Sequence, residues 1–154
     1  MPARKILTMP HPSLQMSAAP VGTIGLDIIE VCQDLVDTLR AEEQLLALSA
    51  PQVGVDARII VVDLKGRPGA RLTAGPLIIV DPEVAASDGE VTSFETCASL
   101  PGERFEVARP DRIFLRGLTI QGTPVGAETS GLEARLIQHA IDHLEGRLVA
   151  RTAH

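Results

Sequence analysis

Two histidines near the C-terminus, His139 and His143, are spaced so that they could bind one metal ion. Side chains at positions i and i+4 lie one turn apart on the same helix face, a separation that suits two ligands of one tetrahedral ion. Leu132 and Leu136 share that face, so the imidazoles are predicted to point inward, where their nitrogens need partners or an ion. Histidines at this spacing are also common as surface groups or satisfied core groups. Asp142, on the flank nearest His139, is expected to accept a hydrogen bond and fix one tautomer.

Cys97 is the predicted third ligand, and it lies in the segment Phe94–Gly102 between a predicted strand and a Pro-Gly turn. One thiolate and two imidazoles leave a fourth position free for water, as in catalytic rather than purely structural metal centres. These donors accept both iron and zinc, so we expect one divalent ion, Fe²⁺ or Zn²⁺. Cys32 has a different setting, at helical spacing with Leu35 and Leu39, and is predicted to be a small core residue.

The composition favours one compact domain spanning residues 1–154, since 45% of the 154 residues are hydrophobic. The net charge of −6 and the pI near 5.1 give no global positive field for nucleic acid or anionic membranes. Apolar runs such as Ile59–Val62 are far shorter than the roughly 20 residues that cross a bilayer, and no signal-peptide core follows Arg4 and Lys5. We therefore expect a cytoplasmic protein without nucleic-acid or membrane partners and, lacking Trp and Tyr, with an aliphatic core.

Hydrophobic periodicity and Gly/Pro punctuation predict an α+β fold, with mostly antiparallel β-sheets around a central metal-binding helix. That helix is predicted over Glu128–Gly146, where good helix formers run without proline and Gly146 provides a stop. Asp81-Pro82 is expected to end one strand. The other predicted elements are a helix at Leu26–Glu43, an extended segment at Leu45–Ala50, a hairpin loop at Lys65–Gly75, and strands at Arg58–Leu64, Leu77–Val80, Glu90–Phe94, Arg104–Ala108, Ile113–Leu118 and Thr119–Val125.

Four segments, in order along nearly the whole chain, resemble the motifs of the peptide deformylases, which remove the formyl group from N-formylmethionine at the start of new bacterial proteins. The resemblance implies that family's fold and a metal-dependent hydrolase acting on N-formylated or other N-terminal peptides. The four segments are K-I-L-T-M-P-H-P-S-L (Lys5–Leu14), L-S-A-P-Q-V-G-V (Leu48–Val55), E-T-C-A-S-L-P-G (Glu95–Gly102) and Q-H-A-I-D-H-L-E-G (Gln138–Gly146).

The resemblance also implies roles for single residues. Gln52 matches the amide that polarises the formyl oxygen, a task shared with the backbone N–H of Ala98. Arg104 looks like the arginine that helps hold the peptide backbone, although a solvated surface charge fits its sequence equally well. The residues that match the family's metal ligands are Cys97, His139 and His143. The residues expected to line the substrate groove are Leu45, Leu46 and Ala47.

Ala140 breaks the family's pattern, because the motif H-E-x-x-H has a glutamate where this chain has a methyl group. In the family that glutamate takes a proton from water and passes it to the leaving amine, a task worth about 10²–10⁴-fold in rate. On the helical wheel Ala140 faces the interior, whereas Asp142 and Glu145 project elsewhere. No acid on this helix is therefore expected to replace the missing base.

Two functions follow from this departure, and the residues leave both open. The first is a deformylase-type hydrolase with a reduced rate, and the second is an inactive module that binds a metal ion and N-terminal peptides. A third explanation is an alanine introduced by experiment to trap a substrate. Further departures from the family, which usually has three glycines and a larger apolar residue, favour a natural variant. They lie at Leu45, Ala47, Thr96 and Ala98.

Overall fold

The computed structural model describes residues 3–147, which form two α-helices and seven β-strands. The helices are α1 (Leu26–Ala41) and α2 (Gly131–Leu144), and the strands are β1 (Ala47–Ser49), β2 (Ile59–Val62), β3 (Leu77–Asp88), β4 (Val91–Cys97), β5 (Leu100–Arg109), β6 (Arg112–Leu118) and β7 (Pro124–Ser130). Five strands make one sheet in the order β1-β2-β3-β6-β7, while β4 and β5 make a separate hairpin. Every strand pair is antiparallel, so the predicted α+β fold is confirmed.

The five-stranded sheet has an aliphatic core on each face, one packed against each helix. Ile59 and Val61 of β2 pack in the core with α1, where Cys32 is fully buried, as predicted. Ile60 and Val62 pack in the core with α2, because successive side chains of a strand point to opposite faces. Helix α2 is thus fixed to the sheet along one side. Within residues 3–147, neither helix is long and apolar enough to cross a membrane.

Strand β3 is longer than its sequence predicts. Asp81-Pro82 was expected to end it at Val80, but the strand runs on to Asp88. The prediction was wrong because a register shift between Val80 and Glu83 takes up the proline, with Asp81 at a positive φ of 50°. The first four residues of β3 pair with β2, and β6 pairs from Val80 onward.

Helix α2 begins at Gly131, later than the predicted start at Glu128. The last strand was predicted at Thr119–Val125, but it lies further along the chain and extends into the predicted helix. Thr119 and Thr123 close a turn, and the strand follows at Pro124–Ser130, paired with β6. Glu128–Ser130, which the helical pattern included, therefore belongs to β7. Gly146, at φ 73°, lies just beyond the last helical turn, and the predicted helix stop is confirmed.

Candidate metal centre

The structure brings the three predicted ligands together where the β4–β5 hairpin meets α2. Cys97 is the last residue of β4, and His139 and His143 lie one turn apart on α2. One ligand atom from each of the three lies within 4.8 Å of the others. The Cys97 Sγ is 3.2 Å from the Nε2 of His143, and the other nitrogen of that ring, Nδ1, is buried without a partner among residues 3–147.

The ionisation of this cluster suits a divalent cation. Burial raises the pKa of the Cys97 thiol, but hydrogen bonds from His139 and His143 outweigh it and lower the pKa to about 6. For His139, burial lowers the pKa, and its contacts with Cys97 and Glu95 raise it to about 9. The metal-free chain therefore pairs a thiolate with a protonated imidazole. A cation can take the place of that proton, because metal ligands bind in their deprotonated form.

Glu95, not Asp142, is the acceptor that orients His139. The Nδ1 of His139 donates to Glu95 Oε1 at 3.0 Å, which leaves Nε2 to face the cluster. Asp142 was predicted for this contact, but its carboxylate lies 2.8 Å from Nη1 of Arg109 instead. The prediction was wrong because the helical wheel shows only the flank of α2 and not the charged residue of β5 that packs there.

Two arginines hold Glu95 in place. Arg109 binds both carboxylate oxygens, at 2.6 and 2.8 Å, and Arg135 donates to Oε2 at 2.5 Å. None of these three residues was predicted to have a role in the site. Two signals were available: Glu95 lies two residues before Cys97 on the same strand face, and Arg135 lies one helical turn before His139. No sequence signal indicated that Arg109 would pair with Glu95.

Glu95→Gln is expected to lower the free energy of unfolding by about 3 kcal/mol, because it leaves the largely buried guanidinium of Arg135 without a counter-charge and Arg109 with Asp142 alone. Burial raises the pKa of Glu95, while its hydrogen bonds with His139 and Arg109 lower the pKa from 4.5 to about 2. The stabilisation is therefore fully present above pH 4.5 and is lost as the pH falls toward 2. Urea unfolding at several pH values measures both effects.

The matched control for Glu95→Gln is Glu145→Gln. Glu145 also pairs with an arginine, Arg58, but its side chain is 36% exposed. Solvent screens that pair, so its loss is expected to cost less than about 1 kcal/mol. Equal losses of unfolding free energy in the two variants would show that the buried Glu95 carboxylate stabilises the fold no more than an exposed one.

The two thiols are expected to differ in reactivity. Burial raises the pKa of Cys32 to about 11, whereas Cys97, with a pKa of about 6, is roughly nine-tenths thiolate at neutral pH. Iodoacetamide should therefore alkylate one thiol quickly in the metal-free protein, and peptide mass spectrometry should locate the label at Cys97. Added Zn²⁺ should suppress the reaction. Fast labelling that persists in Cys97→Ser, or that saturating metal leaves unchanged, would contradict this assignment.

A groove of about 720 Å³ opens directly above the cluster. One wall contains Leu45, Leu46 and Ala47, which lead into β1 and are half-buried. The opposite wall is formed by β4 and the turn that follows it, and α2 forms the floor. Both β1 and β4 are edge strands, so each wall presents unpaired backbone groups to the groove.

Gln52 and Ala98 lie at the cluster end of this groove. The Gln52 side chain is buried, with Oε1 accepting from the backbone N–H of Ser49 at 3.0 Å and Nε2 donating to Ser99 Oγ at 3.2 Å. These bonds fix the amide and leave the second hydrogen of Nε2 for a ligand. Ala98 begins the two-residue turn between β4 and β5.

Arg104 lies at the mouth of the groove. Its guanidinium carbon is 4.0 Å from the centre of the Phe94 ring, and both residues line the opening. Phe94 is 54% exposed, so this cation–π pair is accessible to a ligand. Arg104 is exposed, and its charge faces the groove as well as solvent.

Ala140 is 1% exposed and lies in the groove floor beside His139. The acidic side chains of α2 bind other groups. Glu133 accepts hydrogen bonds from Thr129 and Thr73, and Asp142 pairs with Arg109. Glu95 lines the groove, but both of its oxygens are bound to arginine. The position next to the cluster therefore holds a methyl group.

An α+β fold with a thiol and two imidazoles at the base of a peptide-sized groove defines a class of protein built around an open metal centre. The family model for polypeptide deformylase matches residues 3–154. The chain is 41% identical to a peptide deformylase of Alkalilimnicola ehrlichii over 143 residues, which are 93% of this chain and 78% of that protein.

Solved structures agree with the sequence comparisons. A peptide deformylase from Legionella pneumophila has a TM-score of 0.89 and 33% identity, over 98% of this chain and 86% of that one. A peptide deformylase from Ehrlichia chaffeensis in complex with actinonin has a TM-score of 0.91 and 31% identity, over 100% of this chain and 90% of that one. The chain belongs to the peptide deformylase family, whose members depend on a metal ion.

Proposed function

We propose that this chain binds one divalent ion, iron or zinc, and removes the formyl group from N-formylmethionyl peptides at a reduced rate. The observation that carries the proposal is the cluster of Cys97, His139 and His143 within 4.8 Å at the base of the groove. When bound, such an ion supplies a Lewis acid that polarises a carbonyl and lowers the pKa of water.

The residues around the cluster are suited to hold a formyl group. The fixed amide of Gln52 and the backbone N–H of Ala98 are two donors for the formyl oxygen, on which negative charge grows as water attacks. Each such donor contributes about 10²–10³-fold in comparable sites. Because Ser49 and Ser99 fix the amide beforehand, little ordering is needed when a peptide binds.

The groove itself is suited to an extended peptide. A peptide lying between β1 and β4 can form backbone hydrogen bonds with either edge strand. Arg104 at the mouth can bind a backbone carbonyl further along the peptide. Leu45 and Ala47 place side chains where a glycine would leave the backbone open, so the groove is narrower there.

This chain lacks the residue that would transfer the proton. Ala140 cannot take a proton from the attacking water or return one to the amine, and Glu95, which lines the groove, is held ionised by His139 and Arg109. With the remaining groups intact, we expect turnover slower by about 10²–10⁴-fold than a carboxylate would give. The same observation supports a second candidate, a module that binds N-terminal peptides without cleaving them.

The test measures binding and turnover separately. The protein is loaded with Fe²⁺, Co²⁺ or Zn²⁺ and mixed with a formyl-Met-Ala-Ser peptide, and amine release and calorimetric binding are followed. Slow release that needs the metal supports the hydrolase. Binding without release supports the module. If neither the peptide nor actinonin, which is bound in the Ehrlichia chaffeensis structure, binds the metal-loaded chain, both are wrong.

A further inference from the structure

Part of one groove wall is a connection that is neither helix nor strand. Helix α1 ends at Ala41 and β1 begins at Ala47, so residues 42–46 join the two. The members of this connection that line the groove are Glu42, Gln44, Leu45 and Leu46. The repeating hydrogen bonds of a helix or a sheet do not fix such a segment, and the last carbonyls of α1 also lack helical partners. The position of this wall therefore depends on individual contacts.

The segment that follows β2 binds both ends of the connection. At one end, the backbone N–H of Asp63 donates to the carbonyl of Leu46 at 2.8 Å. At the other end, Nζ of Lys65 donates to the carbonyls of Leu39 and Glu42, at 2.8 and 2.7 Å. The ammonium therefore lies at the C-terminus of α1, where the helix dipole favours a positive charge. Two residues thus hold the wall at its start and at its end.

The backbone of Lys65 is in an unusual conformation. Its φ of 52° lies in the left-handed region, which favours glycine and asparagine over residues with longer side chains. Its backbone N–H donates to Oδ1 of Asp63 at 2.9 Å, and this bond closes the turn that directs the side chain back to α1. A lysine in this conformation strains the backbone, so the contacts of its ammonium must offset that strain.

We propose that Lys65 is a positioning residue for peptide binding, which together with Asp63 clamps the connection 42–46 and so sets the position of one groove wall. This proposal rests on the proposed function, since it concerns the peptide bound in the same groove. Without the ammonium, the Glu42 end of the connection is released while the Leu46 end stays bound. Backbone freed in this way must be ordered again when a peptide binds, and ordering even one residue weakens binding by about tenfold.

The test is Lys65→Asn, which removes the ammonium but tolerates the positive φ. Calorimetry with the Zn²⁺-loaded protein and formyl-Met-Ala-Ser should show an affinity about tenfold lower than that of the native chain. Amide hydrogen exchange of residues 42–46 should become faster in the peptide-free variant. The thiolate-to-cobalt absorption of the Co²⁺ form should not change, because the three ligands lie on β4 and α2. If Lys65→Asn does not fold, Lys65→Gly removes the same ammonium with no strain.

Arg67→Asn is the matched control, because it removes the same charge from the same loop. The Arg67 guanidinium donates to the carbonyl of Leu64 at 3.3 Å, and the residue does not line the groove. This variant should keep the native affinity for the peptide. An equal loss of affinity in both variants, or native affinity with a lower urea midpoint in Lys65→Asn, overturns the clamp while leaving the proposed function intact. No binding of the peptide to the native chain overturns both.

Discussion

Ala140→Glu is expected to raise kcat/KM for formyl-methionyl peptides by about 10²–10⁴-fold, the range that a well-placed general base contributes. This is a gain of roughly 3–5 kcal/mol in stabilisation of the transition state. Position 140 is buried in the groove floor next to His139, so a carboxylate there would lie beside the residues that would hold the metal ion. The gain should appear mainly in kcat, because the base acts on the chemical step and not on peptide binding.

The control for this substitution is Ala140→Gln, which has the same size and hydrogen-bonding reach but cannot take a proton. It should bind metal and peptide as the glutamate variant does and should turn over no faster than the native chain. Equal rates for the two variants at equal metal content would show that proton transfer does not limit this protein. The groove, and not the base, would then be the site of the defect.

The ligand cluster could be predicted because each part of it has a local sequence signal. The spacing of His139 and His143 follows from the period of a helix, and Cys97 lies in a short motif with a strand before it and a turn after it. The structure places these residues together, as that pattern predicts. Cys97 and His139 are far apart in sequence, so periodicity alone could not pair them; the setting of Cys97 suggested the pairing, and the family resemblance supports it.

The surroundings of the cluster could not be predicted in the same way, because they depend on contacts between elements that are distant in sequence. Arg109 reaches Asp142 from β5, and Arg135 reaches Val91 and Val107 across the hairpin. A helical wheel places Asp142 on the correct flank but does not show which charge packs against it. Electrostatic partners are decided by tertiary packing, and the same holds for the acceptor of His139.

The errors in the predicted bounds of β3 and β7 have a related cause. A proline after an aspartate is a reliable local signal for a strand end, yet β3 continues because β6 pairs with it beyond a bulge. Glu128–Ser130 was included in the predicted helix, but it pairs with β6 and belongs to β7. In both places the pairing with β6 is a contact between segments distant in sequence, which the local pattern does not show.

Cys97→Ala is expected to weaken binding of a divalent ion by more than about a hundredfold, since even partners of metal ligands contribute 10–100-fold in affinity. The loss removes the only anionic donor of the cluster, because the two imidazoles bind as neutral groups. Titration with Co²⁺ measures this, since the native chain should show thiolate-to-cobalt charge-transfer absorption and the variant should not. Cys32→Ala is the control: that thiol is buried beside α1, so its loss should lower stability by about 1 kcal/mol and leave the Co²⁺ titration unchanged. Full Co²⁺ affinity in Cys97→Ala would show that the thiol is not a ligand and would contradict the proposed cluster.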